Sequence, residues 1–277
     1  MHAAVRVYPG QKIEGARIHQ VGDGLTFSAG LAVALDDLVD QRQNGFLRDM
    51  FSGMMRAHDE GRRFRIRVLA DTAFLRTVYP HMESQVEGWT RERWDRSHRM
   101  YRWVGAWDGM ETNINSRLTD DTFSGAEGYR PTLNSYLYAD LRALARTAAL
   151  FGDEVKAADY EARAEDLKSR VQEELWDPER EFFFHQFASD EKDGIQAGSL
   201  TYQTGPFAGD PHGRELLGYV PWQFHLPDPG YEAAWRYLMD PAYFQAPFGP
   251  TGVERGDPQF LVSPRCCIWS GNAWPYA

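Results

Sequence analysis

Three short stretches of this sequence carry residue types that can do chemistry, and each falls in a loop or at a helix entrance. The first is Trp107-Asp108-Gly109-Met110-Glu111. A carboxylate set beside an indole is placed where burial and apolar contact raise its pKa, the condition for a general acid at neutral pH, which makes Asp108 a candidate. Asp-Gly is equally the composition of a plain turn, and Glu111 either shares the site or caps a helix. The second stretch, Tyr129 to Ser135, places Arg130 and Asn134 on either side of a helix start, where their donors can hold sugar hydroxyls or simply cap the helix. The third, Cys267 to Pro275, spaces Trp269 and Trp274 across a glycine, so that one ring can face a ligand while the other enters the core. Trp222 and Gln223 in Gly218-Tyr219-Val220-Pro221-Trp222-Gln223 offer the same two uses. No Gly-rich phosphate loop, HExxH, GxSxG or Cys-x-x-Cys is present, and the histidines do not pair at metal-ligand spacing, so neither cofactor nor metal is expected. Asp120, Asp121 and Glu127 read as a solvated acidic loop.

The composition narrows the ligand. In 277 residues, 40 acidic against 30 basic side chains give a charge of -10, which repels a polyanion and argues against nucleic acid. Aromatic residues make up 14%, with 9 Trp, 13 Tyr and 16 Phe among 25 Gly and 15 Pro, the mixture of flat rings and loops that a sugar cleft or an aromatic core requires. No uninterrupted apolar run is long enough to span a bilayer, and no export signal opens the chain, so the expected setting is cytoplasmic with no membrane partner. The two cysteines, Cys266 and Cys267, are neighbours whose side chains diverge, so a structural disulfide between them is not expected.

The elements that must position these residues are mainly helical. Residues 1–30 lack a helical period and read as short strands or loop. Leu31 to His58 reads as a broken helix, Arg63 to Leu69 as a short strand, and Asp71 to about Arg96 as a helix kinked or divided at Pro80. Pro131 opens a helix with the stripe Leu133, Leu137, Leu141, Leu144 and Ala148. Gly152 ends it, and Asp153 caps a second helix with the stripe Tyr160, Ala164, Leu167, Val171 and Leu175. Joined this tightly, the two must form an antiparallel hairpin. Phe182 to Phe184 reads as a buried strand, short helices come next near 214–218 and 231–239, and residues 241–275 form a long aromatic loop of the length that builds sites.

The words WDGME (107–111), YRPTLNSYLYADLRALARTAALFGD (129–153), ELWDPEREFFFH (174–185), GYVPWQF (218–224) and CCIWSGNAWPYA (266–277) together resemble the inverting glycosidases built on an (α/α)6 barrel. The nearest are glycoside hydrolase family 63 and the mannosylglycerate-hydrolase-like bacterial enzymes. The resemblance implies a toroid of helical hairpins, incomplete in this chain, with residues 71–277 part of the glycosidase domain and residues 1–70 a poorly matched segment. It implies hydrolysis of an α-linked glucoside or mannoside with inversion, without cofactor, on an oligosaccharide or glycoside substrate. Asp108 takes the general acid's place, and Trp107, Glu111, Arg130, Asn134, Trp222, Gln223, Trp269 and Trp274 line the sugar subsites. Inversion needs a second carboxylate with room for water between the two. In such enzymes this base comes after the Trp-x-Gly-x-x-Trp-Pro segment, here the last residues of the chain. The expectation is therefore an internal fragment, with Glu254 the nearest upstream substitute for the base. The competing expectation is a non-catalytic carbohydrate-binding or structural helical domain in which Asp108 is exposed or salt-bridged away from the groove.

Overall fold

The computed structural model describes residues 17–19, 67–69, 72–263 and 267–272. The helix expected over 31–58 and the ring of Trp274 lie outside these residues. The chain divides into two compact units, one taking residues 1–84 with 143–157, the other 85–142 with 158–277. In the first unit, β1 (Arg17–His19), in the stretch read as short strands or loop, pairs antiparallel with β2 (Arg67–Leu69), in the stretch read as a strand. The helical stretches 72–84 and 143–157 also belong to the first unit, and the remaining described residues belong to the second.

Helix α1 (Thr72–Arg93) turns Leu75, Tyr79 and Val86 inward, and it runs undivided through Pro80. One proline removes one backbone donor, and a helix of 22 residues has enough remaining hydrogen bonds to continue past it. Helices α2 (Pro131–Leu150) and α3 (Glu154–Glu174) form the expected hairpin. Pro131 suits the first turn of α2 because its missing N–H has no partner there in any case. Gly152 leaves the helix at φ 79°, in the left-handed region that glycine enters without a Cβ penalty. Asp153 then accepts the Lys156 N–H at 3.0 Å and caps α3. Both apolar stripes read from the sequence are buried, and Arg142 of α2 reaches Glu161 and Glu165 of α3 along the hairpin flank.

A small antiparallel sheet sits beside this hairpin in the order β3 (Trp94–Asp95), β4 (Met100–Trp103), β5 (Gly128–Tyr129) and β8 (Gln186–Phe187). A two-stranded ladder of β6 (Trp176–Asp177) and β7 (Phe182–Phe183) comes after α3, and Phe182, Phe183 and Phe184 are all buried. Phe182 is the hub of an aromatic core, meeting Tyr219 at 4.9 Å, Phe184 at 5.7 Å and Phe244 at 6.0 Å between ring centres. Each ring so buried contributes roughly 1.5–3 kcal/mol, which fixes loops that have little regular hydrogen bonding of their own. A short helix α4 (Val220–Gln223), a helical turn at Leu216–Tyr219 and a short 3-10 helix at Glu232–Tyr237 close over this core.

The expectation of an unbridged cysteine pair is corrected. Cys267 is disulfide-bonded, and its backbone stands at φ 70°. Among the described residues, no helix is long and apolar enough to cross a membrane.

Candidate active site

Asp108 ends a single helical turn, Gly105–Asp108, that Gly109 closes at φ 67° with its N–H on the Ala106 carbonyl. This turn faces the sheet. Trp103 of β4 pairs with Gly128 of β5, and β5 leads directly through Arg130 into α2, so the strand pairing brings Trp103, Arg130 and Thr132 to one point. Gly128 is required there: a Cβ would overlap the His185 ring and the Gln186 carbonyl of the neighbouring strand.

The Asp108 carboxylate accepts hydrogen bonds from Trp103, Arg130 and Thr132. Trp103 Nε1 donates to Oδ1 at 2.8 Å, and Arg130 Nε and Thr132 Oγ1 donate to Oδ2 at 2.6 and 2.9 Å. The Asp108 and Arg130 side chains are each 1% exposed. Burial pushes the Asp108 pKa up, against the Arg130 charge and these donors, which favour the ionised form. Above the site the surface is aromatic. Trp107 is 49% exposed, packs on Trp103 at 4.9 Å between ring centres, and carries the Arg93 guanidinium 4.2 Å over its ring. Trp103 in turn packs edge-on against Trp89 at 5.3 Å.

Five further side chains complete the cluster, and none was singled out as a site residue from the sequence. Glu215 is buried, accepts Asn115 Nδ2 on Oε2 at 2.6 Å, and sits with that oxygen 3.9 Å from Arg130 Nη2. Asn115 is itself fixed by Thr201, whose hydroxyl donates to its Oδ1 at 2.7 Å. Arg130 Nη1 donates to His185 Nδ1 at 3.5 Å, and burial followed by the Arg130 charge holds the His185 pKa well below its ordinary value, so the ring is neutral. Tyr136, on α2, has its pKa raised by burial and then by the Asp108 charge, and its ring meets Phe224 at 5.5 Å.

Burial pushes Glu215 up to about 7, with Arg130 and Asn115 opposing and Asp108 adding to the rise. A carboxyl group with a folded pKa above its unfolded value binds more protons when folded, so stability falls as pH rises from the unfolded value toward 7. The expected slope is up to about 1.4 kcal/mol per pH unit over that window. Urea denaturation of wild type and Glu215→Gln between pH 4.5 and 7.5 checks this, since the substitution should remove the slope.

Other residues expected at the site serve different purposes. Asn134 is fully buried and spends its amide on the scaffold: it accepts the Tyr101 N–H at 2.8 Å and donates to the carbonyls of Tyr101 and Arg130. It ties β4 to the start of α2, and lining a sugar subsite is corrected to holding the chain that carries Arg130. Asn134→Ala leaves these buried backbone groups unsatisfied and is expected to cost about 1–3 kcal/mol in chemical denaturation. Glu254 is likewise corrected as a catalytic base. Residues 215 and 253 lie opposite each other in an antiparallel bridge, so Glu215 faces one way while Arg214 and Glu254 face the other. There Glu254 accepts the Arg214 N–H at 2.8 Å and its guanidinium at 2.9 and 3.1 Å, with Tyr237 under the guanidinium.

Glu111 and Trp269 do meet, the indole N–H donating to Oε2 at 2.9 Å, and Ser270 Oγ donates to the Thr112 carbonyl at 2.9 Å. These bonds attach the 267–272 segment to the loop after Asp108. Trp222 is half-buried among Phe183, Tyr219 and Trp235, while Gln223 is exposed. Asp121 caps its own loop by accepting the Phe123 and Ser124 N–H groups, and Glu127 pairs with Arg93. Among the described residues no group of three or more His, Cys, Asp or Glu is placed to hold a metal ion. A cavity of about 690 Å³ lies elsewhere, lined by Thr90, Trp94, Tyr101, Leu141, Arg163 and neighbours, and none of the expected site residues borders it.

Residues 10–277 match the family described as mannosylglycerate hydrolase MGH1-like glycoside hydrolase domain. Among solved structures, one named sialidase is 32% identical with a TM-score of 0.59, the match covering 74% of this chain. It covers 17% of the sialidase chain, so the present chain spans a small part of that protein's length. No curated protein matches.

Proposed function

Because this chain belongs to the mannosylglycerate hydrolase MGH1-like glycoside hydrolase domain family, we propose that it carries the acid-bearing side of a glycosidase active site. The observation that supports this most is the buried Asp108 carboxylate, oriented by Trp103, Arg130 and Thr132 beneath the exposed ring of Trp107. In this reading Asp108 protonates the glycosidic oxygen, and burial, which favours its neutral form, keeps the proton available to be given. Trp107, Glu111, Trp222, Gln223, Trp269 and Trp274 face the sugar, and Arg130 orients the acid. The substrate is an α-linked glucoside or mannoside, cleaved with inversion on a toroid of helical hairpins to which residues 71–277 contribute, in the cytoplasm. Inversion requires a second carboxylate some 6.5–9.5 Å from the acid, with water between them. Hydrolysis of a panel of α-glucosides and α-mannosides by the full-length protein, with the first-formed anomer read by NMR, tests the assignment. A β-product from an α-glycoside supports it, and a retained anomer or no hydrolysis sinks it.

One observation favours a second reading, a carbohydrate-binding domain without catalysis: the Asp108 side chain is almost fully covered and is ion-paired with Arg130. It predicts sugar binding by calorimetry that Trp107→Ala weakens and no turnover of any glycoside.

A further inference from the structure

Thr132 and Tyr136 lie one turn apart on α2 and share a face of that helix. Thr132 gives its hydroxyl to the Asp108 carboxylate at 2.9 Å, which sets this face against the acid. Tyr136 is the next side chain along it. Burial and then the Asp108 charge hold the proton on its phenol, with Arg130 opposing, so the ring presents a neutral hydroxyl near both. Phe224, at the end of α4, meets the Tyr136 ring edge-on at 5.5 Å between ring centres and steadies it from the other side.

The Tyr136 hydroxyl is not used by the fold. Other tyrosines of this unit bond theirs within the protein: Tyr129 donates to Asp95 at 2.8 Å, Tyr202 to Asp257 at 2.9 Å, Tyr219 to the Ala234 carbonyl at 2.8 Å and Tyr237 to the Arg180 carbonyl at 3.0 Å. Tyr136 is half-buried, and its hydroxyl makes no hydrogen bond among the described residues. A tyrosine that serves packing alone ordinarily finds a partner for its hydroxyl inside the protein. This one is held beside a carboxylic acid with its donor and acceptor both open. A phenol donates and accepts, as a sugar hydroxyl does, so the two match with no charge to balance.

The geometry points to Tyr136 as a substrate-contacting residue that sets specificity: its hydroxyl bonds one hydroxyl of the sugar whose glycosidic oxygen reaches Asp108, and so selects glycosides that carry this hydroxyl over analogues that lack it. The inference rests on the reading of the site as a glycosidase active site. No proton of the reaction passes through Tyr136. The contact is made with the sugar ring in the bound state and in the transition state alike, so its loss appears in KM more than in kcat.

The test sets wild type beside Tyr136→Phe in the full-length protein. Both are given p-nitrophenyl α-mannoside and α-glucoside and the full set of monodeoxy forms of each. Binding is read separately by calorimetry with the corresponding thioglycosides, which resist cleavage. On the parent glycoside, Tyr136→Phe is expected to raise KM about three- to tenfold with kcat changed little. One monodeoxy form should cost the wild type a similar factor and cost Tyr136→Phe nothing further, because each change removes one partner of the same hydrogen bond. The substitution deletes an oxygen that no described residue bonds, so thermal unfolding should be unchanged. Should it not fold, Phe224→Leu takes its place: it withdraws the ring that holds Tyr136 and should blur the same discrimination. A Tyr136 that serves structure alone shifts all the glycosides by one factor or none of them, and either result overturns the contact while leaving the glycosidase reading in place. Binding that depends on a single hydroxyl and on Tyr136, with no hydrolysis of any glycoside, supports the contact and overturns the glycosidase reading.

Discussion

Replacing Asp108 with Asn is expected to lower kcat on the glycoside the protein cleaves by on the order of a hundredfold or more, with KM changed little. The substitution preserves shape, but its one carbonyl oxygen can take either the Trp103 N–H or the Arg130 and Thr132 donors, which meet different oxygens of Asp108. What it removes is the exchangeable proton. A loss confined to kcat identifies an interaction made in the transition state, whereas a rise in KM alone would mark Asp108 as a binding group. The loss should be largest for substrates with poor leaving groups, and small for activated aryl glycosides whose phenolate departs without protonation. A kcat within a few-fold of wild type on an alkyl glycoside would remove Asp108 from the chemistry. Thermal unfolding of the variant separates this from misfolding, because Arg130 retains Glu215 nearby.

Arg130→Met is expected to be among the most destabilising single substitutions in the chain, costing about 3–5 kcal/mol at pH 8. Methionine fills much of the same volume, so packing changes little. Charge changes a great deal: Asp108 and Glu215 are then two buried carboxylates without their guanidinium, and both proton affinities rise. The cost should therefore shrink as pH is lowered and the two acids become neutral, leaving a variant much closer to wild type near pH 5 than at pH 8. Urea denaturation at the two pH values measures the difference. A cost of about 1 kcal/mol or less at pH 8, or one that does not vary with pH, would show that Arg130 does not hold these charges.

Both expectations concern residues whose importance came from different sources. Asp108 and Arg130 were visible in the sequence because each lies in a short word with an unusual local chemistry, an acid beside an indole and a guanidinium one residue ahead of a helix-opening proline. Glu215 was not visible. It is preceded by Arg214 and followed by two leucines, a pattern that reads as an ordinary loop entering a short helix, and its hydrogen-bond partner Asn115 is 100 positions away. The strand-like alternation at 214–215 sends one charge to Glu254 and the other to Arg130, and only the bridge to Val253 decides which. The same fact bears on Glu254, the nearest upstream substitute for the base that the family resemblance implies, which the paired backbone turns toward Arg214. Asn134 marks the complementary limit: its place in the helix entrance was legible, its consumption by Tyr101 and Arg130 was not.

What the sequence determined by itself was local. The apolar stripes at helical spacing, Pro131 at a first turn, Gly152 beyond a last one and Asp153 as a cap specify the α2–α3 hairpin through interactions within about four residues, so a one-dimensional reading captures them. The tertiary structure decided which charges share a buried space. Ionisation depends on solvent exclusion and on the sum of nearby charges, and both come from segments that meet only after β4, β5 and β8 pair and the aromatic core closes, bringing residues 103, 108, 130, 185 and 215 to one guanidinium.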